Sequence, residues 1–498
     1  MKGWPRPILV GIGIAATLLL LSIVAGARPG GGQSYRSPSR SSSSSSYRSS
    51  SPSRSSSSSS SRRFSSSSRS SPTVVVVGST SSSSYGSSGS GCSGTGVVFG
   101  VVLGVSLLVL LVWLASRKKA ARATIAVDAG AQARGIAALR SRDAGFNPAE
   151  FGERTKATMA KVNEAWLAGN MNPARRLISD GVFVRFQTQL GLLRADQVRN
   201  VMANWRVVSA DILAAEGDDR WDTVHVKVVG EASDRDVPIK LSDEEALAQA
   251  RKAPLQQYHE VWSFLRRRGK TTHGAPALEG RCPGCGADLP LSESVRCEYC
   301  QALINSGEHD WVLAEITQPE EWSVWVAEEE VDGLAEVRQR DTTISRQELE
   351  DRASVIFWKW VEARRLGKPD GLARFCMDKP EGAVALENLL LAPAELRQVA
   401  AGSVEVVAVT PDAGGGRDQV TVEIKWSASV NSAEPEGTIN LFMLERSSTA
   451  TSKRGLASLD CPVCAGPLPE SDALFCAYCG EALSGGKHEW ALAQVLNG

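Results

Sequence analysis

The chain repeats itself, and the repeat carries eight of its ten cysteines. At an offset of 179 residues, Cys282 to Ile316 lies on Cys461 to Val495, which matches all four cysteines, Leu289-Pro290 with Leu468-Pro469, Tyr299 with Tyr478, His309 with His488 and Trp311 with Trp490. At an offset of 198, Phe151 to Asp180 lies on Leu349 to Asp378 and pairs Arg154 with Arg352, Lys161 with Lys359, Gly169 with Gly367 and Arg176 with Arg374. A duplication this long means one supersecondary unit folded twice. Phe151, Thr155, Thr158, Val162 and Ala165 in the first copy, and Leu349, Ala353, Ile356, Trp360 and Ala363 in the second, recur at three- and four-residue spacing, so each copy opens with a helix burying one stripe. Alternating runs follow from Thr223 and Gln419, then Tyr258 to Leu265 and Thr438 to Leu444, which read as strands. Helices first and strands later describe an α+β layer fold. An extra segment around Leu241 to Lys252 lengthens the first copy and reads as a surface helix or loop.

The cysteines fall as Cys282-x-x-Cys285 with Cys297-x-x-Cys300, and Cys461-x-x-Cys464 with Cys476-x-x-Cys479. Four thiolates complete a tetrahedral zinc ion and leave no open position, so two structural Zn2+ ions are expected, each worth roughly 10 kcal/mol to a hairpin too short to hold itself. Disulfides or a redox-active pair are the competing reading, disfavoured in a reducing compartment. Each ribbon falls between a strand and the His-[Asp/Glu]-Trp segment, as an insertion in a terminal hairpin.

The first 146 residues are of another kind. Residues 1–27 read as a signal peptide or signal-anchor, with Lys2 and Arg6 ahead of the apolar run Ile8 to Ala27. Residues 28–96 are Ser/Arg/Gly-rich, too poor in apolar residues to offset chain entropy, and are expected to be disordered. Residues 97–115 carry no charge and would span roughly 28 Å as a transmembrane helix. Arg117, Lys118, Lys119 and Arg122 follow at once, whereas no Lys or Arg occurs from Gly78 to Gly96, so the positive-inside rule places the remainder in the cytoplasm and the serine-rich segment outside. These four cations open a basic juxtamembrane segment, 116–146, suited to anionic lipid headgroups.

Ala165-Trp166-Leu167-Ala168-Gly169-Asn170, Val261-Trp262-Ser263-Phe264-Leu265-Arg266 and Asp310-Trp311-Val312-Leu313-Ala314-Glu315-Ile316 resemble the domain of the mitochondrial inner-membrane import translocase subunit 44 and its bacterial relatives. The resemblance covers 147–320, with its ribbon at 282–300. It recurs more weakly in 347–498, with a ribbon at 461–479 and Phe442-Met443-Leu444 in place of Trp-Ser-Phe; residues 321–346 read as a linker. It implies two tandem nuclear-transport-factor-2-like cone domains and peripheral attachment of partners to a membrane. The chaperone-recruiting region of the mitochondrial protein has no counterpart in this chain.

No Gly-rich phosphate loop, His-Glu-x-x-His or Gly-x-Ser-x-Gly motif occurs. Asp211 and Asp222 lie near strands, but no acid, base or histidine partner repeats with them, so no enzyme is expected. His309 and His488 read as hydrogen-bonded residues at the start of a strand, and Trp358, Trp360 and Trp426 as core. Lys plus Arg equals Asp plus Glu, and the ribbon loops carry little positive charge, so no nucleic-acid partner is expected. The reading is a membrane-anchored scaffold or adaptor at a bacterial inner membrane, binding protein partners or lipid. Its alternatives are a small-molecule or enzymatic site in a cone pocket, and nucleic-acid binding through the ribbons.

Overall fold

The computed structural model describes residues 35–38, 128–290, 294–323, 331–367, 369–377, 395–431, 434–451, 455–468 and 473–498. All of them belong to one compact unit. The apolar runs 8–27 and 97–115, the cations Arg117, Lys118, Lys119 and Arg122, Cys92 and most of the serine-rich tract lie outside the described residues. Among the described residues no helix is long and apolar enough to cross a membrane.

The fold is mixed α+β with two four-stranded antiparallel sheets, each in simple sequential order. The first half runs α1 (Ala129–Arg142), α2 (Pro148–Leu167), a 3-10 turn (Asn172–Leu177), α3 (Asp180–Ala195), β1 (Val198–Gly217), β2 (Trp221–Pro238), α4 (Asp243–Ala250), β3 (Leu255–Arg267) and β4 (Val312–Thr317). The second runs α5 (Leu334–Arg340), α6 (Arg346–Leu366), α7 (Asp370–Ala373), β5 (Leu396–Gly414), β6 (Arg417–Val430), β7 (Glu436–Ser447) and β8 (Ala491–Asn497). Both expected helical stripes are buried: Thr155, Ala353, Ile356 and Trp360 are completely enclosed. Asn147 and Ser345 cap these helices, their side chains accepting backbone amides of the first turn. The ribbons lie between β3 and β4 and between β7 and β8, as the sequence implies.

The structure adds elements that the sequence left as linker or tail. The expected linker holds α5, with Leu334 and Val337 buried, and the basic segment holds α1, docked on β1 through Leu139. They are repeats of each other. Arg142 at the end of α1 pairs with buried Asp222 at 2.5 Å, and Arg340 at the end of α5 pairs with buried Asp418 at 2.6 Å. The next residues, Asp143 and Asp341, pair with Arg266 (2.8 Å) and Arg446 (3.0 Å), all four essentially excluded from solvent. Each of these guanidiniums stacks on the tryptophan ahead of the last strand, Arg266 on Trp311 at 4.3 Å and Arg446 on Trp490 at 4.6 Å. Arg142 is thus a structural cation and not a headgroup ligand.

The halves are interlocked, with α3 of the first packed along α6 of the second. The amide of Leu459 donates to Asp180 (2.8 Å) and that of Gly181 to Asp351 (3.0 Å), and the Trp221 indole donates to Ser345 (2.9 Å). Arg220 pairs with Glu348 at 2.8 Å. Trp358, Trp360 and Trp426 are core, Trp360 and Trp426 meeting edge to face with centroids 5.8 Å apart.

Candidate metal centres and the cavity between the halves

Each quartet of cysteines is gathered by two tight turns. In the first, the Cys282 carbonyl accepts from Gly286 and the Cys297 carbonyl from Gln301; Cys461 with Ala465 and Cys476 with Gly480 repeat this. The residue closing each turn is left-handed, with φ of 78, 61, 65 and 74 for Gly286, Gln301, Ala465 and Gly480. Amides point at sulfur: Gly284 at Cys282 (3.3 Å), Gly466 at Cys464 (3.4 Å) and Tyr478 at Cys476 (3.4 Å). The Cys300 amide helps to bring Cys297 down to about 7.

The Cys282–Cys300 and Cys285–Cys297 sulfurs are 3.7 and 3.8 Å apart, and the Cys461–Cys479 and Cys464–Cys476 sulfurs 3.7 and 3.6 Å apart. In both quartets all four sulfurs lie within 4.8 Å of one another. Four sulfurs at about 2.3 Å from a tetrahedral ion stand about 3.8 Å apart, so the donor set fits a metal closed on all sides. A disulfide needs about 2.05 Å, and all eight cysteines are free. The ribbons touch: Arg296 beside Cys297 reaches Asp460 beside Cys461 at 2.7 Å and the Ala465 carbonyl at 3.1 Å. His488 bonds Glu481 of its own ribbon at 3.1 Å, as a residue anchoring the turn. Three aromatic side chains of the ribbons, Tyr299, Phe475 and Tyr478, are each more than 60% accessible.

A second candidate site lies where the halves meet. A small cavity, open to solvent, is lined by Thr223, His225, Ser263 and Glu315 from the first half and by Arg346, Glu350 and Ser403 from the second. His225 alternates with core-facing Val224 and Val226, so it projects from the sheet face away from α2 and α3. It bonds Ser263 (2.8 Å) and Glu216 (3.2 Å), while Arg346 approaches Glu350 (3.4 Å) and Glu216 (3.7 Å). Burial pushes Glu350 up to about 8, with Glu315 adding to the rise and Arg346 opposing it; burial also raises Glu315. Glu216 is held low against its burial by His225 and Arg346. The hydroxyls of Thr223 and Ser403 are buried here with no hydrogen-bond partner among the described residues. Reading each repeat by itself misses this cluster, because Arg346 reaches Glu216 only across the interface.

Purified chain is expected to carry two zinc ions by elemental analysis, and Cys285→Ser to carry one with loss of its ribbon's thermal protection; two ions in that variant would overturn the closed four-thiolate site. The Glu350 proton implies a pH dependence. Its carboxyl titrates near 4.5 when unfolded and at about 8 when folded, so between these values the native state holds a proton that the unfolded chain has released. Its stabilisation is complete below pH 4.5 and lost as pH rises toward 8. Glu350→Gln should flatten the fall in unfolding free energy between pH 5 and 8 measured by denaturant titration, and an unchanged slope would remove Glu350 as its source.

The sequence model of the Tim44-like domain matches residues 132–275. Among solved structures, an "Ntf2 like protein involved in plasmid conjugation" matches at 9% identity and a TM-score of 0.15, covering 64% of this chain and 86% of that one. No curated protein sequence matches the chain. Residues 132–275, from α1 to just past β3, are thus the part of the chain that is similar to the Tim44-like domain.

Proposed function

We propose that the chain is a non-catalytic adaptor that holds protein partners at a bacterial inner membrane, its folded halves in the cytoplasm and its two ribbons, each closed on Zn2+, forming the contact surface. The observation that carries this is the apposition of the two ribbons through Arg296 and Asp460, with Tyr299, Phe475 and Tyr478 turned to solvent. A rigid, metal-stapled surface with exposed aromatic anchors suits a protein partner, since aromatic side chains dominate binding energy at interfaces. Attachment rests on the apolar runs 8–27 and 97–115, with anionic lipid supplementing it at Arg117, Lys118, Lys119 and Arg122. The Tim44-like domain supports a link to protein translocation, and each half then corresponds to one cone of that family. The double variant Phe475→Ser with Tyr478→Ser, in the full chain crosslinked in native membranes, should keep two zinc ions and lose a defined membrane partner; retention of the same partner set would sink the ribbon-surface reading.

The cavity between the halves favours a second reading, a small hydroxyl-bearing ligand held by Glu315, Glu350, Thr223 and Ser403. Native mass spectrometry of the chain purified from membranes should then show an adduct that Thr223→Val loses, whereas a bare protein mass would end this reading.

A further inference from the structure

One short segment from far upstream is seated on the second half. Tyr35 is 7% exposed, its hydroxyl donating to Glu321 at 2.7 Å; the Arg36 amide donates to Ser427 at 3.0 Å, and the Ser37 hydroxyl donates to Glu321 at 2.5 Å. Glu321 is in turn held by Lys425 at 3.3 Å. Ser427 alternates with Trp426, which packs into the core, so the segment crosses the face of the second sheet that points away from α6. Two glycines make the floor. A Cβ on Gly402 would come within 2.3 Å of the Tyr35 ring, and one on Gly437 within 2.4 Å of the Arg36 carbonyl and 2.5 Å of the Pro38 nitrogen.

The duplication supplies a control. The ion-paired Asp222 and Asp418 set the register, placing Ser427 opposite Glu231 in the repeat; the strand partners follow, Gly437 across from Ser427 and Gln257 across from Glu231. Both first strands shift register at matching places, one of them between Val207 and Ser209 and between Ala401 and Ser403, so Gly402 corresponds to Val208. The first half thus has Val, Glu and Gln where the second has Gly, Ser and Gly, and only the second leaves room for a peptide.

We infer that the outer face of the second sheet is a peptide-docking groove whose ligand is an extended Tyr-Arg-Ser-Pro segment, supplied in cis by Tyr35, Arg36, Ser37 and Pro38. The Tyr-Arg-Ser triplet recurs at Tyr47-Arg48-Ser49, giving the chain a second segment of the same chemistry. The groove selects a tyrosine by the flat floor at Gly402 and the carboxylate of Glu321, and fixes strand direction through Ser427. Docking has a topological consequence. Residues 35–38 and the folded halves must then share a compartment, so the run 97–115 attaches the chain without carrying it across the membrane, and the serine-rich tract is not exported, unlike the topology expected from the sequence.

The test uses the full chain in sealed membrane vesicles, with a photo-crosslinking benzoylphenylalanine replacing Tyr35. Crosslinks are expected within one chain, to the strands around Gly402 and Gly437. Gly402→Val, the first half's residue at that place, should lower their yield by at least about tenfold, equivalent to about 1.4 kcal/mol of docking energy. The peptide Ser-Tyr-Arg-Ser-Pro-Ser should compete, and its Tyr→Ser version should not, a control independent of how Gly402→Val folds. Single cysteines at Ser37 and at exposed Lys487 should react with an impermeant maleimide from the same side of the membrane. Crosslinks elsewhere, no competition by the peptide, or labelling from opposite sides would overturn the proposal.

Discussion

The clamp formed by a buried arginine, an aspartate and a tryptophan, present once in each half, is the contact on which the remaining architecture depends. Arg266 stands near the end of β3 and Trp311 just ahead of β4, so the stack between them closes the loop that carries the first ribbon; Asp143 ties both to the end of α1. Arg446, Trp490 and Asp341 do the same for the second. Losing one partner of such a pair would strand a buried charge at a cost of about 3–5 kcal/mol. A ribbon of some twenty residues has almost no apolar core of its own. The clamp fixes its base, the metal fixes its tip, and neither can replace the other, because one constrains the strands and the other only the two turns.

The interlock between the halves works by the same device of buried polar groups satisfied across an interface. Asp180 accepts from Asn305 at 3.1 Å within its own half and from the Leu459 amide in the other, and burial raises it above the usual carboxylate range. Asp351, raised to about 7 by burial, accepts from Gly181 at the start of α3. Pulling the halves apart would leave these groups unpaired, so the two copies are expected to unfold together and not as independent domains.

What the sequence made legible was what depends on short-range spacing. The cysteine turns and the helical stripes of α2 and α6 have local periods, and the structure places all those residues as their spacing implies. The long strands β1 and β5 were not legible, because three register shifts between β1 and β2 and four between β5 and β6 break the two-residue alternation. The clamps were invisible for another reason: Asp143 and Arg266 are 123 residues apart, and a cation on an apolar strand looks like an edge position until its partner is known. The cavity residues failed the test of repetition, since His225 comes from one copy and Arg346 and Glu350 from the other.

That last failure points to how the duplication was used. If two copies pack so that each offers a different surface, the contact covers one copy's outer sheet face and leaves the other's uncovered. In the first half the face carrying Thr223, His225 and Ser263 is covered by α6 and β5 and encloses the cavity. The equivalent face of the second half has no third copy to meet. It is there that Val208, Glu231 and Gln257 of the first copy are replaced by Gly402, Ser427 and Gly437, and there that Tyr35 lies buried. The longer side chains of the first copy leave no room for a strand at that place; a face floored with glycine and bordered by Glu321 and Lys425 accepts a single extended strand of defined chemistry. The asymmetry of packing between two similar halves is therefore sufficient to explain why one copy acquired a cavity and the other a groove.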